Sequence, residues 1–289
     1  MQALTTNDIL EKVSDSGVFK AAAPVWKLFL LGILAGAYIA FGAQASQMAS
    51  FGLVSDPATF GIGKVVAGAV FPVGLMMVVL CGAELFTGNC LMFTGLMDRK
   101  FSAAAMLRNW AIVYVGNFAG SILMVLLISC TGLWDSGGSM LGAVVVKTAI
   151  SKCSLGFGKA FVLGILCDWM VCLAIWMATG AQVAMGKMMA VWFCIGLFII
   201  SGFEHSVANM YFIPAGLMAA ANDTYVQMAG GDASGLTFGN FLIKNLLPVT
   251  LGNIVGGGIF VGCAYWLSIR GLPARKAGKS DDGDDAVSD

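Results

Sequence analysis

The stretch Ser201-Gly202-Phe203-Glu204-His205-Ser206-Val207-Ala208-Asn209 places a carboxylate and the only histidine of the chain inside a long apolar run. An ionisable group at membrane depth is costly and rarely idle. Gly followed by Glu is typical of a helix that stops, turns and restarts, which the membrane interior tolerates only where protein buries the backbone or water reaches it. The stretch therefore predicts an interrupted membrane helix that lines a pathway.

A second copy of this pattern lies earlier in the chain, in Leu80-Cys81-Gly82-Ala83-Glu84-Leu85-Phe86-Thr87-Gly88-Asn89. Asn follows Glu by five residues in both copies, as Asn89 and Asn209. The carboxylates of Glu84 and Glu204 are predicted to stabilise the two breaks by accepting backbone N–H groups where each second half-helix begins, since a helix N-terminus favours negative charge.

The surrounding segments repeat as well. Leu31-Gly32-Ile33-Leu34 recurs as Leu163-Gly164-Ile165-Leu166, and Gly116-Asn117 recurs as Gly252-Asn253. The Gly and Asn residues of these motifs are also explained by close helix packing. Each half of the chain holds three apolar runs, so the second half must be inverted relative to the first. This is the design of many transporters and channels, with a site near mid-membrane.

Composition supports a membrane protein, because 58% of the 289 residues are hydrophobic and only 11% are charged, with a mean hydropathy of +0.86. The net charge is zero and no basic cluster stands out, so nucleic acid is not expected as a partner. A membrane helix needs roughly 20 apolar residues. Runs of that length predict an all-α protein with six spans, at 27–49, 65–95, 106–130, 157–180, 188–220 and 244–268.

These runs divide the chain into an N-terminal segment at 1–26, one transmembrane domain at 27–268 and a disordered tail at 269–289. The repeat halves are 27–130 and 157–268. Eleven of the 16 Lys and Arg residues fall on the side of the N-terminus. Because positive residues concentrate on the cytoplasmic side, both termini are expected to be cytoplasmic.

The eight cysteines are scattered and form no C-x-x-C pair, so packing explains them better than metal or disulfide chemistry. One histidine and scattered cysteines offer neither a nucleophile with its base nor a ligand cluster. The sequence therefore predicts a protein that is not an enzyme and needs no metal or cofactor.

The two break motifs, together with Pro248-Val249-Thr250-Leu251-Gly252-Asn253, resemble the formate/nitrite transporter family. The resemblance covers about residues 15–270. It implies a homopentamer of aquaporin-like protomers in a bacterial inner membrane, surrounded by lipid. Each protomer would have its own pore for small monovalent anions.

The same resemblance implies roles for individual residues. Phe71 and Phe198 would narrow the outer side of the pore, and Leu75, Leu85 and Phe86 would close the cytoplasmic side. The polar groups between the two constrictions would be Thr87, Asn253 and His205, and Lys152 would gather anions near the outer mouth. His205 suits proton exchange near neutrality, since its unperturbed pKa is ~6.5.

Asp168 departs from the family pattern, in which an Asn is expected at this position. A carboxylate there would repel an anion unless it were protonated or paired. A Lys152–Asp168 ion pair is one expectation, and an exposed or neutral Asp168 is the alternative.

The function predicted from these residues is a channel or transporter for anions of weak acids such as formate, nitrite or hydrosulfide, with protons as a second partner. An aquaporin-like channel for neutral solutes shares the inverted design, although the paired Asn-Pro-Ala loops are absent. Glu84, Asp168 and Glu204 suggest a proton or cation carrier as a further alternative.

Overall fold

The computed structural model describes residues 2–271, and it is helical throughout. Most of the predicted tail at 269–289 lies outside these residues. The helices are Thr6–Ala22, Val25–Ser55, Phe60–Val70, Val73–Cys81, Phe93–Met97, Ala103–Ser129, Met140–Cys153, Phe157–Gly180, Ala184–Ser201, Ser206–Ala219, Asp223–Ala229 and Phe238–Arg270, with 3-10 turns at Gly88–Met92 and Leu133–Asp135 and π-helical turns at Phe241–Leu246 and Ile254–Cys263.

Six helices in the described part of the chain are long and apolar enough to cross a membrane, which confirms the six predicted spans. We refer to them as spans 1 to 6: Val25–Ser55, Phe60–Cys81, Ala103–Ser129, Phe157–Gly180, Ala184–Ser201 and Phe238–Arg270. The predicted runs 65–95 and 188–220 are interrupted at the Gly-x-Glu motifs, because spans 2 and 5 end at Cys81 and Ser201 and shorter helices follow. Span 1 continues beyond the predicted residue 49, up to Asp56, whose extended backbone precedes Pro57.

The repeated glycine motifs are the contact surfaces between spans. A Cβ atom on Gly120 would lie 2.0 Å from the carbonyl oxygen of Ile33, and one on Gly256 would lie 2.2 Å from that of Ile165. The first contact joins spans 1 and 3, and the second joins spans 4 and 6. The two halves of the chain are therefore packed by the same approach of small residues.

The segment before span 1 forms a helix that the sequence analysis did not predict. Thr5 caps it with a reciprocal hydrogen-bond pair to Asp8, the capping-box arrangement. Its apolar face, which includes Leu10 and Val13, is buried against the rest of the protein.

Asp98, in the loop before span 3, connects this N-terminal helix to the end of span 6. Its carboxylate accepts hydrogen bonds from Ser14 Oγ and Trp266 Nε1, both at 2.7 Å, and Arg270 Nε lies 3.5 Å away. Burial raises the pKa of Asp98, but these hydrogen bonds and the guanidinium outweigh burial and lower it below its ordinary value.

Because the pKa of Asp98 is lowered, its contribution to docking is present at pH values above the ordinary pKa of ~3.9 and is lost as pH falls through the lowered value. We expect Asp98→Asn to speed hydrogen exchange in residues 6–22 at neutral pH, where the charge contributes. The difference from wild type should shrink as pH falls below the ordinary pKa of the carboxyl group. Equal protection at neutral pH in the two proteins would contradict this role.

Candidate functional site

Two glycines end the helices of spans 2 and 5. Gly82 and Gly202 adopt φ values of 77° and 78°, a left-handed conformation that is strained for residues with a Cβ atom. The chain then crosses to a neighbouring span, where the backbone N–H groups of Glu84 and Glu204 donate to Leu31 and Leu163, each at 3.2 Å. The two breaks are therefore built in the same way.

Asn117 and Asn253 hold the two breaks in place. The Asn117 amide group donates to the carbonyls of Gly32 and Glu84 and accepts from the N–H of Phe86. Asn253 repeats this with Gly164, Glu204 and the N–H of Ser206. Both N–H groups of Asn253 are thus occupied by carbonyls, so this side chain supports the break and has no donor left for an anion.

Glu84 is part of a charged cluster at the first break. Lys20, from the N-terminal helix, donates to its carboxylate and to Asn89 Oδ1 at 2.8 Å. Asn89 Nδ2 donates to Glu84 at 2.7 Å and to Asn109 Oδ1 at 2.9 Å. Two of these four residues, Glu84 and Asn89, were predicted from the sequence.

Glu204 has the equivalent cluster at the second break. Lys152 donates to it at 2.7 Å, and Asn209 Nδ2 donates both to Glu204 and to Asn245 Oδ1 at 2.7 Å. Neither Glu accepts the backbone N–H groups predicted from the sequence. That prediction was wrong, because the carboxylates bind ammonium and amide groups instead, and the helix after the second break is capped by His205.

The expected Lys152–Asp168 ion pair was also wrong. Lys152 binds Glu204, whereas Asp168 is fully buried beside the thiol of Cys172 at 3.8 Å. Asp168 lies 11 residues after Phe157, where span 4 begins, and at 1.5 Å per residue this is about 17 Å along the helix. A lysine in the helix before span 4 does not reach that depth.

His205 and Thr87 meet between the two breaks. Nδ1 of His205 accepts the N–H of Ala208 at 3.0 Å, and Nε2 lies 2.9 Å from Thr87 Oγ. Since Nδ1 is an acceptor, the neutral ring carries its proton on Nε2 and donates it to Thr87. The hydroxyl hydrogen of Thr87 is then available to another acceptor.

Apolar side chains pack next to this pair. Phe71 contacts Phe198 edge-on, with ring centroids 5.6 Å apart, and Phe198 stacks on the His205 ring at 5.9 Å. Phe71, Leu75 and Phe198 are all almost fully buried. The two rings predicted to narrow the pore are therefore in contact with each other, and one of them, Phe198, contacts the histidine.

Leu85 and Phe86 were predicted to close the cytoplasmic side of the pore, but the two side chains have different surroundings. Leu85 lines a cavity at the first break. The Phe86 ring packs edge-on against Tyr114 and Trp110 of span 3, with centroids 4.9 and 5.8 Å away. Phe86 thus anchors the first break against span 3.

Two cavities of about 420 Å³ lie near opposite ends of span 1, and His205 lines the second of them. One cavity lies near the start of span 1 and is lined by Lys20, Lys27, Glu84 and Leu85. We call this cavity the first vestibule. The other cavity, which we call the second vestibule, lies near the end of span 1. It is lined by Lys64, Lys147, Lys152, Glu204, Phe198 and His205. Because Glu204 neutralises Lys152, the excess positive charge of the second vestibule comes from Lys64 and Lys147.

Lys20, Asn109 and Asn245 were not predicted from the sequence, although the repeat contained the signal. The offset of 132 between the Leu-Gly-Ile-Leu motifs relates Lys20 to Lys152. The offset of 136 between the Gly-Asn motifs relates Asn109 to Asn245. Applying each offset beyond its own motif would have predicted these partners.

Comparisons with known proteins show which family this chain belongs to. A "Probable formate transporter" of Methanothermobacter thermautotrophicus is 39% identical over 273 residues, covering 90% of this chain and 94% of that protein. "Formate channel FocA" of Escherichia coli K12 is 38% identical over 258 residues, covering 88% of this chain and 90% of that protein.

A solved structure, "Pentameric formate channel with formate bound", superposes with a TM-score of 0.76 at 35% identity, covering 85% of this chain and 98% of that chain. An "FNT family ion channel" gives the same TM-score at 30% identity, with coverages of 91% and 99%. These relatives are channels and transporters, not enzymes. The "Formate/nitrite transporter" family model matches residues 7–267. This chain is therefore a multi-pass membrane protein that belongs to the formate/nitrite transporter family.

Proposed function

We propose that this protein conducts small monovalent anions of weak acids, formate first among them, across the inner membrane as a homopentamer with one pore per protomer. Both termini are cytoplasmic, so the first vestibule faces the cytoplasm and the second faces outside. The observation that carries the proposal is the His205–Thr87 pair, which offers a hydroxyl donor between two vestibules separated by apolar side chains.

The apolar side chains between the vestibules are a barrier to a bare ion. Moving a carboxylate-sized anion into a low-dielectric medium costs on the order of 20 kcal/mol by the idealised Born estimate. Phe71, Leu75 and Phe198 have no donors to offset this. A neutral acid avoids most of the cost, so protonation between the constrictions provides a route through them at acidic pH.

His205 and Thr87 supply that proton in the proposed mechanism. A proton from the second vestibule binds Nδ1, and the hydrogen bond from Ala208 is lost because two N–H groups then face each other. The imidazolium passes its Nε2 proton to Thr87 as the Thr87 hydroxyl gives its own proton to the anion. The products are a neutral acid and a neutral histidine, which regains its original tautomer by exchange with the vestibule.

The test is uptake by liposomes that contain the purified protein. Formate, nitrite, hydrosulfide, a short monocarboxylate and glycerol are compared at acidic and neutral pH, with empty liposomes as the control. We expect the weak-acid anions to exceed the empty-liposome rate and to enter faster at acidic pH, while glycerol does not. Glycerol uptake alone would favour an aquaporin-like channel. A current that reverses with a cation gradient would favour a cation carrier.

A further inference from the structure

Asp168, Cys172 and Gly257 form a buried group beside the first break that the proposed pathway does not use, and we call it the carboxyl–thiol cluster. Asp168 and Cys172 are both 0% exposed. Cys172 Sγ lies 3.8 Å from Asp168 Oδ2 and 3.4 Å from the backbone carbonyl oxygen of Thr87. One thiol thus contacts both the carboxyl group and the residue that binds His205.

The surroundings of Asp168 contain no charge that would balance an ionised carboxylate. Among the salt bridges of residues 2–271, none involves Asp168, and its Oδ1 atom has no hydrogen-bond partner. The titratable groups that face it are the thiols of Cys172, on its own helix, and Cys90, in the 3-10 turn Gly88–Met92. Span 6 contributes Gly257, which is uncharged.

Gly257 is what makes room for the cluster. A Cβ atom at this position would lie 2.2 Å from Asp168 Oδ2, 2.5 Å from Cys172 Sγ and 3.0 Å from Cys90 Cβ. These three groups therefore pack together against the bare backbone of span 6. The helices and the turn that contact the carboxyl group enclose it, so water does not stabilise a charge on it.

The number of hydrogen atoms in the cluster also indicates whether Asp168 is ionised or protonated. A thiol has one hydrogen, which it donates either to the carboxyl group or to the Thr87 carbonyl. If Asp168 were ionised, the carboxylate would attract that hydrogen, and the Thr87 carbonyl would keep only the N–H of Cys90, at 3.2 Å. If Asp168 holds a proton, its O–H points to Cys172 Sγ and the S–H points to Thr87.

We infer that Asp168 is a neutral carboxylic acid that positions Thr87 through Cys172, so that the Thr87 hydroxyl stays aligned with His205. The inference rests on the proposed function, because the position of Thr87 matters only if Thr87 takes part in transport. It also explains how an anion pathway tolerates a carboxyl group at mid-membrane.

Infrared difference spectroscopy tests the protonation state without measuring transport. We expect Asp168→Asn, compared with wild type in the assembled protein at neutral pH, to remove a band in the carbonyl-stretch region of protonated carboxylic acids. A difference in the carboxylate bands instead would overturn the inference. Because this readout needs no substrate, it stands even if the proposed function fails.

Uptake in liposomes tests the positioning role. Asp168→Asn keeps an N–H donor toward Cys172, so its formate uptake and pH profile should stay close to wild type. Cys172→Ala should lower uptake at acidic pH about fivefold, since one hydrogen bond is worth roughly 1 kcal/mol. Cys172→Ser, which restores a donor, should recover it.

Two results would overturn the positioning role. Faster anion uptake or a shifted pH profile in Asp168→Asn would show that the residue carries a charge. Wild-type uptake in Cys172→Ala would show that the thiol does not position Thr87. Size-exclusion chromatography checks that each variant assembles. If wild type itself shows no weak-acid uptake, the proposed function fails instead.

Discussion

Replacing His205 by Asn is expected to lower the uptake of formate at acidic pH about a hundredfold, because positioned proton transfer contributes roughly 10²–10⁴-fold where it operates. Asn has no titratable group near neutrality, so the increase in uptake with falling pH should disappear as well. The measurement is initial formate uptake by liposomes over a series of pH values.

The choice of Asn separates proton exchange from the structural role of the ring. His205 caps the helix Ser206–Ala219 through Nδ1, and Asn is among the best capping residues. His205→Phe is the matched variant, since it keeps an aromatic ring against Phe198 but loses the cap. If His205→Asn keeps wild-type uptake and pH dependence, the imidazole has no part in the proton step.

Lys152→Ala is expected to lower anion uptake at least tenfold. The estimate comes from the Coulomb energy of two unit charges 4 Å apart, which is ~4 kcal/mol at an effective dielectric of about 20. The Lys152 and Glu204 side chains are 15% and 7% exposed, so removing the ammonium leaves a nearly buried carboxylate without its counter-charge. That carboxylate faces the second vestibule, where it repels anions. Loss of stability should accompany the loss of uptake, by about 3 kcal/mol.

A double variant distinguishes repulsion from the loss of Lys152 itself. Lys152→Ala combined with Glu204→Gln removes both charges, so uptake should recover part of the way toward wild type. Equal uptake in the single and double variants would contradict the repulsion argument. Lys20→Ala is the matched control, because it breaks the equivalent pair with Glu84 in the first vestibule.

The fold could be predicted largely from the sequence because membrane depth constrains composition so strongly. Apolar length predicted the number of spans, and Gly-x-Glu predicted where spans 2 and 5 end. The N-terminal helix Thr6–Ala22 was not predicted, since its residues are polar and its stability depends on burying one face against the spans.

The contacts within the site were harder to predict than its residues. Glu84 and Glu204 were recognised as supports for the breaks, but their partners lie far away in sequence, as in the pair of Lys20 with Glu84. The pairing of Lys152 with Asp168 was wrong because sequence shows that both charges are near span 4 but not how deep each lies. Depth, and therefore partner choice, depends on where each helix begins.

In the proposed mechanism, a weak acid crosses the apolar constrictions as a neutral molecule after receiving a proton through His205 and Thr87. The most direct measurement follows formate uptake and internal pH together in proteoliposomes held at a fixed membrane potential, with His205→Asn and empty liposomes as controls. The expected result at acidic pH is that uptake acidifies the interior in step with formate and does not respond to the potential. Uptake that responds to the potential and leaves the internal pH unchanged would contradict it.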